Sequence, residues 1–504
     1  MPSRRIAAKS FAAVDLGAES GRVMIGRVGA EKVELASIHR FANTPVRLPD
    51  GLHWNVLSLL AETLVGLAKA RQDGERLSGI GIDAWGVDYG LLDASYRLLG
   101  LPFHYRDRRT EGMIERAQQR VPAADLYART GIQTMPINTV FQLLAEAGSP
   151  ASEAAQHLAM IPDLMGYWLT GEFANETTIA STTGMLDART AMWATDLVEA
   201  LGLPSAALRG TSREPGKLLG EVRPDHAAIA AVPVWSVASH DTASAFVGAP
   251  VSTRNAAILS SGTWSLLGLE LDAPVLDSSA AAVNLTNERG IDGTTRLLRN
   301  VMGLWLVQEC RRCWEESGVS LDYGELERLA AVRQETEVAL FDPDHASLLR
   351  PGNMPERIST LCGASGQHRP QQPGEFVRAI LTSLACKYNL VLRRLRAVTG
   401  REIDVIHVIG GGVHNRALCQ LTADISGLPV IAGPEEATAL GNVLVQARAV
   451  GEVDSLFEMR ELVSNSCATQ RYEPGPNEAA ATETFERFLA LTGLSVSAPE
   501  PIPA

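Results

Sequence analysis

Val14-Asp15-Leu16-Gly17-Ala18-Glu19-Ser20-Gly21-Arg22 ends one apolar run, residues 11–16, and begins another, residues 23–28. The pattern predicts strand, tight turn, strand. Glycine at 17 and 21 permits positive φ and removes Cβ atoms, so backbone N–H groups can approach an anion. Asp15 repels phosphate, but its hard oxygens suit Mg²⁺, directly or through water. The same design returns in the apolar run 256–259, the turn Ser260-Ser261-Gly262-Thr263 and the run 264–269. This hidden repeat predicts two related domains joined near residue 245. A third turn, Gly410-Gly411-Gly412, follows a buried strand over 404–409 and precedes a helix opened by Asn415. Alone, each turn also fits an ordinary hairpin or a close helix–strand junction. In this order they fit one ATP, which needs two loops for phosphates and one for the adenosine end. No G-x-x-x-x-G-K-[S/T] run is present, so the expected cradle is not a P-loop.

The stretch between the first two turns reads as α/β. Asn55 is placed to cap a helix carrying Leu57, Leu60, Leu64 and Leu67 on one face. Residues 77–82 read as a strand that runs into Asp83-Ala84-Trp85-Gly86-Val87-Asp88. Loops at the carboxyl ends of strands are where open α/β sheets bind ligands. Residues 375–398 form a long amphipathic pattern that stops near Gly400. The expected organisation is a first domain over 1–245, a second over 246–490, and a Pro- and Ser-rich disordered tail over 491–504.

Composition removes several classes of function. The chain has 504 residues, 46% hydrophobic and 20% charged, an ordinary globular balance. Its net charge is −13 and no basic stripe stands out, which argues against a nucleic-acid partner. The acidity is compatible with ATP, because Mg²⁺ and backbone N–H groups offset phosphate charge. Residues 1–10 lack the apolar centre of a signal peptide, and no apolar stretch approaches a membrane span. A cytoplasmic protein with no membrane partner is expected. Six cysteines in so long a chain do not make a disulfide framework. Cys310 and Cys313 lie in a helical-looking run without the second pair that tetrahedral zinc would need.

Ala238-Ser239-His240-Asp241-Thr242 holds the best single candidate for chemistry. Residues 233–238 read as a strand and 242–247 as the start of a small-residue helix. Asp241 falls at the corner, where the helix dipole favours a carboxylate ready to accept a proton. Phosphoryl transfer needs positioning and a modest base near the acceptor hydroxyl. An Asp that only caps the helix fits the local sequence equally well. His240 suits a sugar hydroxyl or a structural hydrogen bond. Asp83, Asp88 and Asp107 are further candidates for sugar hydroxyls or for Asx-turns, and Trp85 for an apolar wall or for core.

These residues resemble the FGGY family of carbohydrate kinases, from about residue 11 to about 442. The resemblance is carried by the first turn, by the loop 83–90 and by Tyr105-Arg106-Asp107-Arg108-Arg109-Thr110. It continues through Ser239 to Ala245, residues 260–267, Asn284-Leu285-Thr286-Asn287-Glu288, 409–415 and 436–442. The His-Asp-Thr segment and Asn300-Val301-Met302-Gly303-Leu304-Trp305 are similar to the branch acting on L-rhamnulose. The resemblance implies an α/β fold of two actin-like (ribonuclease H-like) domains flanking an interdomain catalytic cleft. Sugar would lie mainly on the first domain and ATP mainly on the second. It implies phosphorylation of L-rhamnulose at the 1-hydroxyl, giving L-rhamnulose 1-phosphate and ADP, in L-rhamnose catabolism.

By the family pattern Asp241 is the proton acceptor. Gly86, His240, Asp241 and Thr242 would line the sugar. Ala18, Glu19, Ser20, Gly21 and Arg22 would contact nucleotide, as would Thr263, Asn300, Gln308 and Gly411. Mg²⁺ would accompany ATP, with Asp15 as its protein contact. Glu19 departs from members that carry a small polar residue there, so it needs Mg²⁺ or Arg22 beside the phosphates. Some members carry a late cysteine pair; Cys362 and Cys419 lack a near partner here, so no disulfide is expected. A monomer and a homodimer are both open. The rival expectations are a kinase for another ketose or polyol, such as L-fuculose or L-xylulose, and a non-catalytic actin-like protein that uses ATP as a switch.

Overall fold

The computed structural model describes residues 8–208, 212–331 and 337–497. The first half is built on six strands: β1 (Lys9–Leu16), β2 (Ser20–Val28), β3 (Val33–Ala42), β4 (Leu77–Ala84), β5 (Leu218–Glu221) and β6 (Pro233–Trp235). They lie in the order β5-β6-β4-β1-β2-β3. The second half has seven: β7 (Ala256–Ser261), β8 (Trp264–Leu271), β9 (Thr286–Arg289), β10 (Thr295–Met302), β11 (Val405–Ile409), β12 (Val430–Ala432) and β13 (Gln470–Tyr472). Their order is β9-β10-β8-β7-β11-β12-β13.

The two sheets repeat one plan. β1 forms a hairpin with β2 and runs parallel to β4, which runs parallel to β6. β7 forms a hairpin with β8 and runs parallel to β11, which runs parallel to β12. The third antiparallel strand is β3 in one sheet and β10 in the other. An antiparallel edge strand closes each parallel end, β5 and β13. The hairpin repeat legible in the sequence is therefore one corner of a repeated sheet, and β9 is an addition to the second copy.

Period-2 alternation explains β1. Ala12, Val14 and Leu16 face one core with Leu59 and Leu67 of α1 (Val56–Gln72). Phe11 and Ala13 face the other, with Val247 of α2 (Asp241–Val247) and Leu440, Val443 and Leu444 of α6 (Ala437–Ala449). A strand covered on both faces must be apolar throughout, as β1 is. Asp15 is the exception, and its position at the strand end delivers it to the cleft. α6 comes from the second half yet covers the first sheet. Glycine allows that approach: a Cβ at Gly441 would lie 1.9 Å from the Ser244 carbonyl oxygen, and one at Gly26 2.5 Å from Val443.

Three further helices frame the second half: α3 (Trp305–Glu316), α4 (Pro373–Thr399) and α5 (Arg416–Ser426). α4 ends at Gly400 in the left-handed conformation, φ 67°, and Asn415 caps α5 by accepting from the Leu418 N–H at 2.9 Å. Asn55 caps α1 as expected, accepting from the Ser58 N–H at 3.2 Å.

Two expectations need correction. The buried stripe of α1 is Val56, Leu59, Thr63, Leu67 and Ala70, whereas Leu57 is 58% exposed and Leu60 and Leu64 are half-buried. Both stripes have helical spacing, and the side that meets β2 and β3 decides between them. The expected disordered tail also begins too early. Leu491 and Thr492 close a helix over Glu478–Thr492, Leu494 is buried, and the Ser495 carbonyl accepts from Arg394 at 2.8 Å. Residues 498–504 of that tail lie outside the described residues.

All six cysteines are free. Among the described residues no helix is long and apolar enough to cross a membrane.

Candidate active site

The carboxyl ends of β1, β4, β7 and β11 converge on one cleft of about 820 Å³ between the two sheets. Asp15, Gly86, His240, Asp241 and Thr242 line it from the first half. Ala18, Glu19, Ser20 and Arg22 line it from the first turn. Thr263, Asn300, Gln308 and Gly411 line it from the second half. Gly21 does not. It pairs with Leu16 in the hairpin, and a Cβ there would strike the Phe41 ring at 2.3 Å. Packing against Phe41 requires its missing side chain.

The turns of the two hairpins face the same cavity. In the first, the Gly17 N–H donates to the Ser20 carbonyl at 3.0 Å; in the second, the Gly262 N–H donates to the Trp264 carbonyl at 2.9 Å. The carbonyls of Gly262 and Thr263 accept from Leu304 and Trp305 at 3.0 and 3.1 Å, so the second turn also caps α3. Gly410 has φ 83°, where a side chain would be strained. A Cβ on Gly412 would lie 2.1 Å from Ser261 Oγ. The third turn thus lies directly on the second, and glycine is required for that contact. Beyond them Leu304, Val307, Leu326, Val377 and Leu381 make an apolar slot suited to a flat ring.

The other end of the cleft is charged. Asp15 Oδ2 accepts from Arg22 Nε at 2.8 Å, and the same guanidinium pairs with Glu436 at 2.5 Å. Asp83, fully buried, sits across from Asp15 in the ladder and accepts from Asn442 Nδ2 at 2.5 Å. Burial, and then the Asp15 charge, push its carboxyl well above the ordinary range.

Asp241 is the first residue of α2, with His240 as the flanking cap residue. Its Oδ1 accepts from the Thr242 N–H at 2.5 Å and from Thr242 Oγ1 at 3.1 Å. Desolvation raises its carboxyl above the ordinary value; His240 opposes that rise and Asp15 adds to it. The side chain keeps 28% of its surface open to the cleft.

The three softer candidates are internal struts and do not line the cleft. Asp83 holds α6 through Asn442. Asp88 accepts from Trp54 Nε1 at 2.5 Å, Trp85 Nε1 at 2.9 Å and Gln142 Nε2 at 2.8 Å. Burial still pushes its carboxyl up to about 6. Asp107 accepts from the Leu52 and Arg109 N–H groups. Trp85 does line the cavity, fixed there by Asp88.

Several participants escaped sequence reading. Glu176 accepts from the Ser239 N–H at 3.1 Å and from Thr178 and Ile179, and Thr178 Oγ1 accepts from the His240 N–H at 3.2 Å. It therefore holds the segment that carries Asp241. Burial lifts its carboxyl to about 7 in spite of these bonds. Its only sequence signal is the capping pattern Glu176-Thr177-Thr178. Gln133 of the first half bonds Asn300 of the second, accepting from its backbone N–H at 2.8 Å. Glu288, on β9, reaches His240 across the halves at 3.2 Å. Arg106 lies 4.0 Å from the Trp305 ring centroid and donates to the Leu349 carbonyl, a further tie between halves.

The donor set fits a hydrated Mg²⁺. Asp15 and Asp241 are close enough for the Asp15 charge to raise the Asp241 carboxyl, and Arg22 bonds Asp15 and Glu436. A cation bridging waters and phosphates would relieve that repulsion. Among the described residues no group of three or more His, Cys, Asp and Glu could hold a metal by itself.

A cleft between two sheets of one plan, with one glycine turn and carboxylates on one side and two glycine turns and an apolar slot on the other, belongs to an actin-like α/β fold. The profile of the FGGY N-terminal domain matches residues 11–248 and that of the C-terminal domain residues 257–450. The chain belongs to the FGGY family of carbohydrate kinases, whose sugar kinases use ATP as co-substrate. It is similar to the rhamnulokinase of Bacteroides thetaiotaomicron, 40% identical over 471 residues, covering 92% of this chain and 96% of that protein. It is similar also to the rhamnulokinase of Enterococcus faecalis, 39% identical over 501 residues, covering 98% and 100%. Gluconate kinase from Lactobacillus acidophilus shares the fold with a TM-score of 0.78 at 17% identity, over 96% of this chain and 98% of that one. Glycerol kinase from Plasmodium falciparum, solved with ADP, does so with a TM-score of 0.75 at 16% identity, over 97% and 99%.

Proposed function

We propose that this carbohydrate kinase transfers the γ-phosphoryl group of ATP to the 1-hydroxyl of L-rhamnulose, with Asp241 as general base. The observation that carries the reading is the placement of Asp241, at a helix start in the charged end of the cleft, with part of its side chain open to it. The near full-length likeness to rhamnulokinases supports the choice of sugar. So do Ile132, Met135 and Ile137, which give the charged end an apolar wall suited to the methyl group of a 6-deoxy ketose.

ATP would place its ring in the slot at Leu304 and Leu381, and its phosphates between the turns at Gly17–Ser20, Gly262–Thr263 and Gly410–Gly412. Asp241 would take the hydroxyl proton as the sugar oxygen bonds to the γ-phosphorus. The bond from that phosphorus to the bridging oxygen breaks and ADP leaves. Backbone N–H groups and Arg22 would stabilise charge spread over the transferring group. Mg²⁺, held near Asp15 through water, would neutralise phosphate charge. The bonds Gln133–Asn300 and Arg106–Leu349 would hold the halves closed and water out, limiting hydrolysis of ATP.

The test is sugar-dependent ADP release with Mg²⁺ across L-rhamnulose, L-fuculose, L-xylulose, D-xylulose and glycerol. Preference for L-rhamnulose, abolished in Asp241→Asn, is the expected result. Preference for another acceptor would overturn the sugar, and ADP release indifferent to every sugar would favour a nucleotide switch.

A further inference from the structure

His240 is gripped from the other half of the molecule. Glu288 on β9 and Arg296 on β10 stand directly opposite in the ladder, and both are buried. Arg296 NH2 lies 3.1 Å from Glu288 Oε2, and Arg296 Nε donates to the Arg289 carbonyl at 3.0 Å. The same NH2 lies 3.0 Å from His240 Nδ1. Glu288 Oε2 is 3.2 Å from that nitrogen. On the far side of the ring, Nε2 is 3.4 Å from Asp241 Oδ1.

The Glu288 carboxylate would need a proton on Nδ1 and the guanidinium, which has donors only, needs a lone pair there; of the two contacts only that of Arg296 has hydrogen-bond geometry, Glu288 Oε2 making no hydrogen bond. An imidazole that accepts at Nδ1 carries its proton on Nε2. We propose that Arg296, steadied by Glu288, is a positioning residue that fixes His240 as the Nε2–H tautomer and aims that N–H at the Asp241 carboxylate. This inference rests on the reading of Asp241 as the base.

The arrangement gathers donors onto one oxygen of the base. Asp241 Oδ1 takes the Thr242 N–H and Thr242 Oγ1, and His240 Nε2 stands 3.4 Å from the same oxygen. Oδ2 keeps its lone pairs for the proton of the sugar hydroxyl. Because His240 and Asp241 belong to the first half and Arg296 and Glu288 to the second, the base is fully oriented only when the halves meet. Loss of Arg296 would also reverse the tautomer, since Glu288 would then be the remaining partner of Nδ1 and would demand a proton on it.

The experiment uses the full chain labelled with ¹⁵N at histidine, with the His240 signals identified by their loss in His240→Gln. The ring-nitrogen shifts report the tautomer without any sugar present. Expected are a protonated Nε2 in the parent and a protonated Nδ1 in Arg296→Met. The variant should lose roughly 10- to 100-fold in kcat, as loss of an orienting partner typically does, with the KM for ATP little changed. Should Arg296→Met fail to fold, the pair His240→Gln and His240→Asn decides. Glutamine places its N–H near the position of Nε2 and asparagine near that of Nδ1, so the glutamine variant should keep about tenfold more kcat.

An Nε2 without a proton in the parent would overturn the proposal. So would an asparagine variant that outperforms glutamine, or Arg296→Met with parental tautomer and turnover. Kinetics are read with whichever ketose is phosphorylated best. A wrong sugar therefore leaves the tautomer result standing, and a wrong tautomer leaves the sugar result standing.

Discussion

The turns after β1 and after β7 occupy equivalent places in two sheets of one plan, yet they are furnished differently. The first carries Glu19 and leads into Arg22, which bonds Asp15, and it lies beside Asp83 and Asp241. The second carries only hydroxyls and glycine, Ser260 to Thr263, and lies on the glycine turn 410–412. One copy concentrates charge; the other concentrates backbone bare of large side chains and an apolar slot. Duplication of a sheet thus supplies two ligand-facing corners for one cleft. In the proposed reading, divergence of a few side chains at the strand ends would let one corner do proton chemistry while the other holds a nucleotide.

Substitutions can break that contrast. The largest expected effect is at Asp241. Asp241→Asn should lose about 10³-fold in kcat, within the usual range for a general base, while ATP binding measured by calorimetry stays near parental. Wild-type turnover would remove the base from the first corner.

Next comes Glu176, which anchors Ser239 and His240. Its carboxyl has a folded pKa of about 7 against an ordinary 4.5, so the folded state binds the proton more tightly. Its contribution is fully present below about pH 4.5 and fades as pH rises through about 7. In Glu176→Gln that dependence should vanish. The parent's advantage over the variant should shrink by up to about 3 kcal/mol across this window, read from denaturant melts at several pH values.

Gly412→Ala probes the second corner. Its Cβ would crowd Ser261, and an overpacking cost of about 1–3 kcal/mol should raise the KM for ATP roughly tenfold. Sugar binding should change little; an equal loss in both would erase the division of labour. The smallest effect is expected at Asn55, which caps α1 away from the cleft. Asn55→Ala should lower stability by about 1 kcal/mol and leave both Michaelis constants as they are.

Much of this was legible in the chain because it is local. A strand that must be apolar on both faces, a turn that needs glycine, and a cap three residues before its partner N–H all leave marks within a few positions. So the hairpins, α4 with its Gly400 stop, and the Asn415 cap stand where the pattern puts them. Asp241 at a strand-to-helix corner was readable for the same reason.

What the pattern misread depended on distant partners. Loop aspartates look alike, yet Asp83 is turned inward by Asn442, 359 positions away, and Asp88 by two tryptophans and Gln142. Gly21 looked like a phosphate glycine, and Phe41 of the neighbouring strand gives its missing side chain a packing reason as well. Gln133 carries no marker of its own, and Glu176 and Glu288 show only a capping pattern and a place in the segment 284–288, because their value lies in what they reach.

The sequence by itself determined the two strand–glycine–strand corners, their order, and a carboxylate at a strand-to-helix corner, since these follow from period, backbone freedom and residue chemistry. Only the tertiary structure decided which carboxylates face the cleft, that α6 of one half covers the sheet of the other, and that His240 meets Arg296 from across the molecule. Those outcomes arise from burial and pairing between residues far apart in the chain, and no local pattern encodes them.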